Sequence, residues 1–289
     1  MAFLAAALLL TAALPGAAAS PAKGGVSVLY AGSLVSLMEK DLGPAFAKAT
    51  GYAYEGEGKG SLALARLLKD DLRRADVFIS ADPKVNELLM GPANGDKVRW
   101  YGLVFRNEMV VGYSPKSRFA DRFRQAAAGN IPFYQALQGE GLRLGRTDPK
   151  LDPKGARTLE LFRRAEAHDR RPGLSARILG ADDNPEQVFP EEQLEARLET
   201  GQLDAGIFYR NEVEERGTPY IALPKEINLG DTIVYSISVL ENAPNREAAI
   251  AFVNFFLSPQ GRRLLEKHGL APVKWSCAGE PPAGVRAAP

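Results

Sequence analysis

The stretch Val26-Ser27-Val28-Leu29-Tyr30-Ala31-Gly32-Ser33-Leu34, followed by an amphipathic run over 35–48, constrains the fold more than any other part of the chain. Its alternating β-branched and apolar residues predict a strand, Ala31-Gly32 a tight turn, and Ser33 the cap of a helix that buries Leu34, Leu37 and Met38. A strand that feeds through small residues into a helix start aims unpaired backbone N–H groups and the positive end of the helix dipole at one spot, where the Ser33 hydroxyl adds a donor. Such a spot suits a small anion. The pattern returns once: Tyr52-Ala53-Tyr54-Glu55 is strand-like, 56–60 reads as a Gly-rich loop, and Ser61 opens a helix over 62–69. Serine is also among the commonest helix caps, so neither serine alone marks a binding site.

The alternation continues. Ala75-Asp76-Val77-Phe78-Ile79-Ser80 predicts a strand, Asp82-Pro83 a helix start, 108–113 a strand, and 119–128 and 132–137 helices. A second set begins with the strand Leu142-Arg143-Leu144-Gly145-Arg146 and runs through Asp152-Pro153 into a helix over 155–167. Arg177-Ile178-Leu179 reads as a short strand, Pro190-Glu191 as the start of a helix over 193–200 stopped by Gly201, Asp204-Ala205-Gly206-Ile207-Phe208-Tyr209 as a buried strand, and 211–216 as a helix. Tyr220-Ile221-Ala222 closes this set; 233–240 alternates as a strand, and 246–268 reads as helices broken at Ser258-Pro259. Strands alternating with helices predict an α/β chain with parallel sheets covered on both faces. Two such sets, with crossing segments near 112–115 and 228–232, predict two lobes: 26–112 with 232–276, and 115–228, leaving 277–289 as a tail. Ligands of open α/β sheets bind beyond the carboxyl ends of strands, here the turns at Ser33, Ser61, Asp152, Glu191 and Tyr209.

Composition removes several function classes. The 36 basic and 35 acidic residues are interspersed, which leaves no electrostatic footprint for nucleic acid. Cys277 is the only cysteine, and His168 and His268, both expected at the surface, are the only histidines, so neither an internal disulfide nor a Cys/His metal site is available. Residues 1–22 carry no charge and hold a short apolar run followed by small residues. They read as a secretory signal peptide without a basic n-region, too short in its apolar core to span a bilayer, and with no cysteine for a lipid anchor. Neither serine lies in a nucleophile elbow and no base is marked, so the chain reads as a binder rather than an enzyme. The Gly56 to Ser61 segment lacks the Gly-Lys-Ser order of a phosphate loop. Trp100 and Trp275 read as packing anchors.

Taken in order, Ala31-Gly32-Ser33-Leu34, Ser61-Leu62-Ala63-Leu64-Ala65-Arg66, Ala75-Asp76-Val77-Phe78-Ile79-Ser80-Ala81-Asp82, Asp204-Ala205-Gly206-Ile207-Phe208-Tyr209 and Leu223-Pro224-Lys225-Glu226-Ile227-Asn228-Leu229 resemble periplasmic molybdate/tungstate-binding proteins, the soluble receptors of ABC importers. The resemblance covers about 26–273. It implies the two-lobed type II periplasmic binding protein fold with two crossovers, an oxyanion ligand and no cofactor, a membrane permease as partner, a periplasmic location and a monomer. By motif it implies that Ser33 and Ser61 donate hydroxyls and amides from the first lobe, and that Tyr209 and the amides at Lys154 and Glu191 donate from the second. In an archaeal branch of that family an Asp of the Asp-Pro turn and a Glu just before the cleft tyrosine bond the metal centre. Asp152 is kept here, as a possible ligand to Mo or W or simply as a helix cap, whereas Phe208 precedes Tyr209. The expectation is a near-tetrahedral ligand gaining at most one carboxylate oxygen. Receptors for sulfate or phosphate, and less so an exported enzyme, are the alternatives.

Overall fold

The computed structural model describes residues 23–286; the expected signal peptide and the last three residues of the expected tail lie outside them. Two sheets organise the described chain. The strands are β1 Gly25–Ala31, β2 Ala53–Lys59, β3 Val77–Ser80, β4 Tyr101–Arg106, β5 Met109–Tyr113, β6 Leu144–Thr147, β7 Val188–Phe189, β8 Ala205–Tyr209, β9 Tyr220–Ala222, β10 Val234–Val239 and β11 Ala271–Ala278. One sheet is six-stranded in the order β11-β4-β10-β3-β1-β2, and the other five-stranded in the order β7-β6-β8-β5-β9. β1 pairs parallel with β2 and β3, and β6 parallel with β7 and β8, while β10 and β5 pair antiparallel with β3 and β8. This is the two-lobed, mixed α/β architecture of type II periplasmic binding proteins.

Apolar burial fixes each lobe. In the first, Phe46 meets Phe252 and Phe255 edge-on at 5.2 and 5.8 Å, which seats two helices on the face of the six-stranded sheet. In the second, Phe133 packs against Phe162 at 5.7 Å, under the helix Pro153–His168. The buried Asp76 is satisfied: it accepts from Ser27 N at 2.8 Å and from Asn245 N at 2.6 Å, tying β1 to the start of the helix Arg246–Leu257.

Several local expectations change. The 56–60 segment is the second half of β2 rather than a loop, with Gly56 and Gly58 paired to Val28 and Tyr30. Glycine weakens a strand in isolation, but a Cβ at Gly58 would come within 2.7 Å of the Tyr30 ring, so here its absence lets β2 close on β1. Arg177-Ile178-Leu179 is not a strand but the end of the helix Leu174–Leu179, because burying Leu174, Ile178 and Leu179 together requires helical spacing. β4 and β11, which sequence reading did not pick out, extend the first sheet, and β11 runs to Ala278, past the expected lobe limit at 276.

The first crossing also comes earlier than expected, at Asn107-Glu108, since β5 already belongs to the second sheet. Asn107 makes that break possible without orphaned polar groups: its Oδ1 accepts from Glu108 N at 2.9 Å and its Nδ2 donates to Asn211 Oδ1 at 2.7 Å. The return crossing lies alongside, where Met109 N donates to Asn228 O at 2.8 Å.

Candidate functional site

The two lobes meet along the carboxyl ends of their central strands, and they are shut. Ala63 N donates to Leu151 O at 3.0 Å, Asn211 Nδ2 to Ser33 O at 2.8 Å, and Arg157 Nη2 to Asp82 Oδ2 at 2.9 Å, each bond running from one lobe to the other. An open depression of about 430 Å³ remains between them, lined in part by Gly60, Asp152, Phe189 and Glu191. Ser33, Ser61 and Tyr209 are buried and take no part in that lining.

On the first lobe, β1 ends in a tight helical turn, Gly32–Leu34, whose cap position is Ala31. Ser33 therefore lies inside the turn and does not cap it. Its hydroxyl instead pairs with the Tyr235 hydroxyl at 2.7 Å, both buried. Ser61 is the first residue of the helix Ser61–Lys69, after Gly60 as cap, and its Oγ accepts from Ala81 N at 3.1 Å. Both turns approach the second lobe so closely that a side chain on either glycine is excluded. A Cβ at Gly32 would overlap the Glu191 carboxylate, and one at Gly60 would stand 2.6 Å from Leu151 O and 3.1 Å from Asp152 Oδ2.

On the second lobe, Asp152 caps the helix Pro153–His168, its Oδ1 accepting from Lys154 N at 2.8 Å. The Lys154 amide, expected to face a ligand, is thus taken by the cap. The Lys154 ammonium is buried instead between Glu191 Oε1 at 3.0 Å and Glu212 Oε1 at 2.6 Å. Burial pulls Lys154 down, but Glu212, Glu191 and Asp152 outweigh it and hold the ammonium well above its ordinary value. Burial, helped by the Glu191 charge and opposed by Lys154, pushes the Asp152 carboxyl up to about 6. Glu191, expected to offer an amide, brings its carboxylate to Gly32 as well, so it stands at the cleft beside Asp152.

Tyr209 closes β8 with its backbone N–H donated to Glu212 Oε2 at 2.6 Å. Its ring packs edge-on to Tyr235 at 5.8 Å, and its hydroxyl is buried with no hydrogen-bond partner among the described residues. Burial raises the Tyr209 phenol well above its ordinary value, so it stays a neutral O–H donor. A buried O–H without an acceptor costs on the order of 1–3 kcal/mol, and an anion would remove that cost. Of the six predicted residues, Asp152 and Glu191 line the depression, while Ser33, Ser61, Lys154 and Tyr209 are buried outside its lining. The structure adds Glu212, Asn211, Tyr235 and the Arg157–Asp82 bridge, which sequence reading missed.

Among the described residues no group of three or more His, Cys, Asp or Glu side chains is arranged to hold a metal ion, and no helix is long and apolar enough to cross a membrane. The family of bacterial extracellular solute-binding proteins matches residues 26–271. The chain belongs to this family. As a solute-binding protein it is 36% identical, over 82% of its length and 67% of the relative's, to a Haloferax volcanii protein named for molybdenum binding in an ABC transporter. It is 27% identical to the molybdate/tungstate-binding protein of Pyrococcus abyssi, covering 83% of this chain and 82% of that one. Its fold matches the periplasmic molybdate-binding protein of Azotobacter vinelandii with a TM-score of 0.64 at 19% identity, over 85% of this chain and 98% of that one. It matches the sulfate-binding protein SubI of Mycobacterium tuberculosis with 0.63 at 20%, over 86% and 87%. The chain is a solute-binding transport protein, not an enzyme, related to the molybdate/tungstate-binding proteins of ABC transporters, and its solute site is the cleft between the lobes.

Proposed function

We propose that this solute-binding protein captures molybdate or tungstate in the periplasm and hands it to the permease of an ABC importer. The observation that carries the reading is the buried, unpartnered Tyr209 hydroxyl in a cleft shared with the Ser33 and Ser61 hydroxyls. A tetrahedral dianion leaving water must recover its hydrogen bonds or desolvation forbids entry. Ser33, Ser61 and Tyr209 supply O–H donors, and the first-lobe turns supply N–H donors. Asp152 offers one carboxylate oxygen to the metal centre, and the relatives named for molybdenum, molybdate and tungstate support the choice of anion. Such expansion beyond four oxygens is open to Mo and W but not to sulfur or phosphorus at the centre of sulfate or phosphate. Likeness to a sulfate-binding fold makes sulfate the second reading.

The test is thermal unfolding of the mature chain with molybdate, tungstate, sulfate or phosphate added separately. A ligand at a hundred times its Kd stabilises by about 2.7 kcal/mol, a shift of several degrees. Shifts with molybdate or tungstate alone are expected. A shift with sulfate alone transfers the site to the second reading, and no shift with any of the four refutes the oxyanion reading.

A further inference from the structure

We propose that Tyr235 is the positioning residue that turns Ser33 into an obligatory hydrogen-bond donor, so that this hydroxyl offers no acceptor to an oxyanion that carries a proton. The inference rests on the oxyanion reading above and assigns a role to a residue whose hydroxyl is bonded to Ser33.

A serine hydroxyl can donate one hydrogen bond and accept others, so a serine in an anion site selects nothing unless its accepting side is already engaged. Both cleft serines are engaged in that way. Ser61 Oγ accepts from the Ala81 N–H at 3.1 Å, and a backbone amide can only donate, which leaves the Ser61 proton for the cleft. Ser33 lacks such an amide; its hydroxyl meets the Tyr235 hydroxyl at 2.7 Å. Tyr235 is fully buried, and Ser33 Oγ is its hydroxyl's hydrogen-bond partner among the described residues. If Ser33 donated to Tyr235, the phenolic proton would be left without an acceptor inside the protein. The phenol is also the more acidic of the two hydroxyls and the better donor. The bond therefore runs from Tyr235 to Ser33, and the Ser33 proton points to the ligand.

The ring is held for this purpose. Phe105 stacks on Tyr235 at 4.4 Å, Tyr209 packs against it edge-on at 5.8 Å, and the β10–β4 register breaks between Tyr235 and Ser236. The extra residue at that point is Val104 of β4, so the bend falls on the strand that carries Phe105 against the ring. Burial keeps the phenol protonated.

The test is a double-mutant cycle on the mature chain, read by calorimetric titration with sodium molybdate and with inorganic phosphate. Ser33→Ala should weaken molybdate binding by roughly tenfold or more. Tyr235→Phe, which removes one oxygen and keeps the ring, should weaken it by about threefold to tenfold. The double variant should match Ser33→Ala, because Tyr235 acts only through that hydroxyl. In Tyr235→Phe alone the preference for molybdate over phosphate should narrow, since Ser33 is then free to accept a proton from the ligand. Phe105→Leu loosens the same ring but keeps the hydroxyl, and should leave that preference unchanged; it separates packing from donation should Tyr235→Phe fold poorly. Multiplying effects in the cycle, or an unchanged preference in Tyr235→Phe, overturn the proposal while leaving the oxyanion site intact. Undiminished molybdate binding in Ser33→Ala overturns the assignment of the site itself.

Discussion

His268 is the clearest point at which pH should act on this protein. Its imidazole is buried between Glu215 Oε1, 2.6 Å from Nδ1, and Asp41 Oδ2, 2.7 Å from Nε2. Glu215 belongs to the helix Arg210–Arg216 of the second lobe, whereas Asp41 and His268 belong to the first, so the Nδ1 bond crosses the cleft. Both contacts can be hydrogen bonds only if both ring nitrogens carry protons. The bond to Glu215, opposed by burial and helped by Asp41, accordingly raises His268 above its ordinary value near 6.5. A raised histidine contributes stability that is fully present below about 6.5 and is lost as pH climbs through the folded value. Deprotonation removes one charge-assisted bond, about 1.5–3 kcal/mol. Asp41 is partly exposed and is also paired with Lys267 at 2.8 Å, so its share lies at the low end. For a chain of this length about 2 °C of melting temperature corresponds to 1 kcal/mol, which gives a shift of roughly 3–6 °C. The assay is the melting temperature of wild type and His268→Gln between pH 6 and pH 9.5. Wild type should be the more stable at pH 6, and the gap should close as pH rises. A gap constant across that range would refute a protonated bridge.

Two further outcomes follow from buried groups. Ser61→Ala removes the acceptor of the Ala81 N–H and a proposed ligand donor together, so the ligand-free chain should lose about 1–3 kcal/mol in denaturant unfolding and molybdate affinity should fall roughly tenfold or more; unchanged affinity places Ser61 outside the site. Lys154→Met leaves Glu191 and Glu212 buried without their cation, and should cost about 3–5 kcal/mol in the same unfolding assay. A loss under about 1 kcal/mol would show that Lys154 is not what balances those carboxylates.

The elements that local chemistry dictates were readable in the sequence. Asp152-Pro153 reads as a helix start because aspartate caps and proline suits the first helical turn, and it is one. Ser258-Pro259 breaks and restarts a helix by the same logic, with Ser258 Oγ accepting from Gly261 N at 3.1 Å. Residues whose role depends on distant partners were not readable. His268 sits near a helix end in a charged context that looks like surface, yet its partners lie 53 and 227 positions away. Tyr235 belongs to a plainly alternating strand, and nothing local says that its hydroxyl reaches Ser33, 202 positions earlier. The Lys154 amide shows the opposite error. Motif placed it at the ligand, but the aspartate that starts its helix takes the N–H first.

The distribution of charge explains why neutral donors rather than cations must hold an anion in this cleft. Its second-lobe wall carries Asp152, Glu191 and Glu212 against the single ammonium of Lys154, and that ammonium is already bonded to two of them. Arg157, the next cation, bridges Asp82 and Glu160 and helps hold the lobes together. Lys59, which lines the depression, stands 3.7 Å from Glu57, so these cations are engaged by carboxylates, whereas a free one would draw any anion regardless of shape. What remains is a set of O–H and N–H dipoles fixed by the ends of β1, β8 and the helix Ser61–Lys69. Dipoles reward an acceptor only at the right distance and angle, and they reward a bare oxyanion over one whose proton would meet another donor. The cost of assembling carboxylates around the site falls on Asp152, which burial first and the Glu191 charge second push up to about 6. A metal centre able to take a carboxylate oxygen into its own coordination would relieve that strain, whereas sulfate and phosphate would add to it. On this argument the acidic wall is a filter against the smaller oxyanions as much as a component of the site.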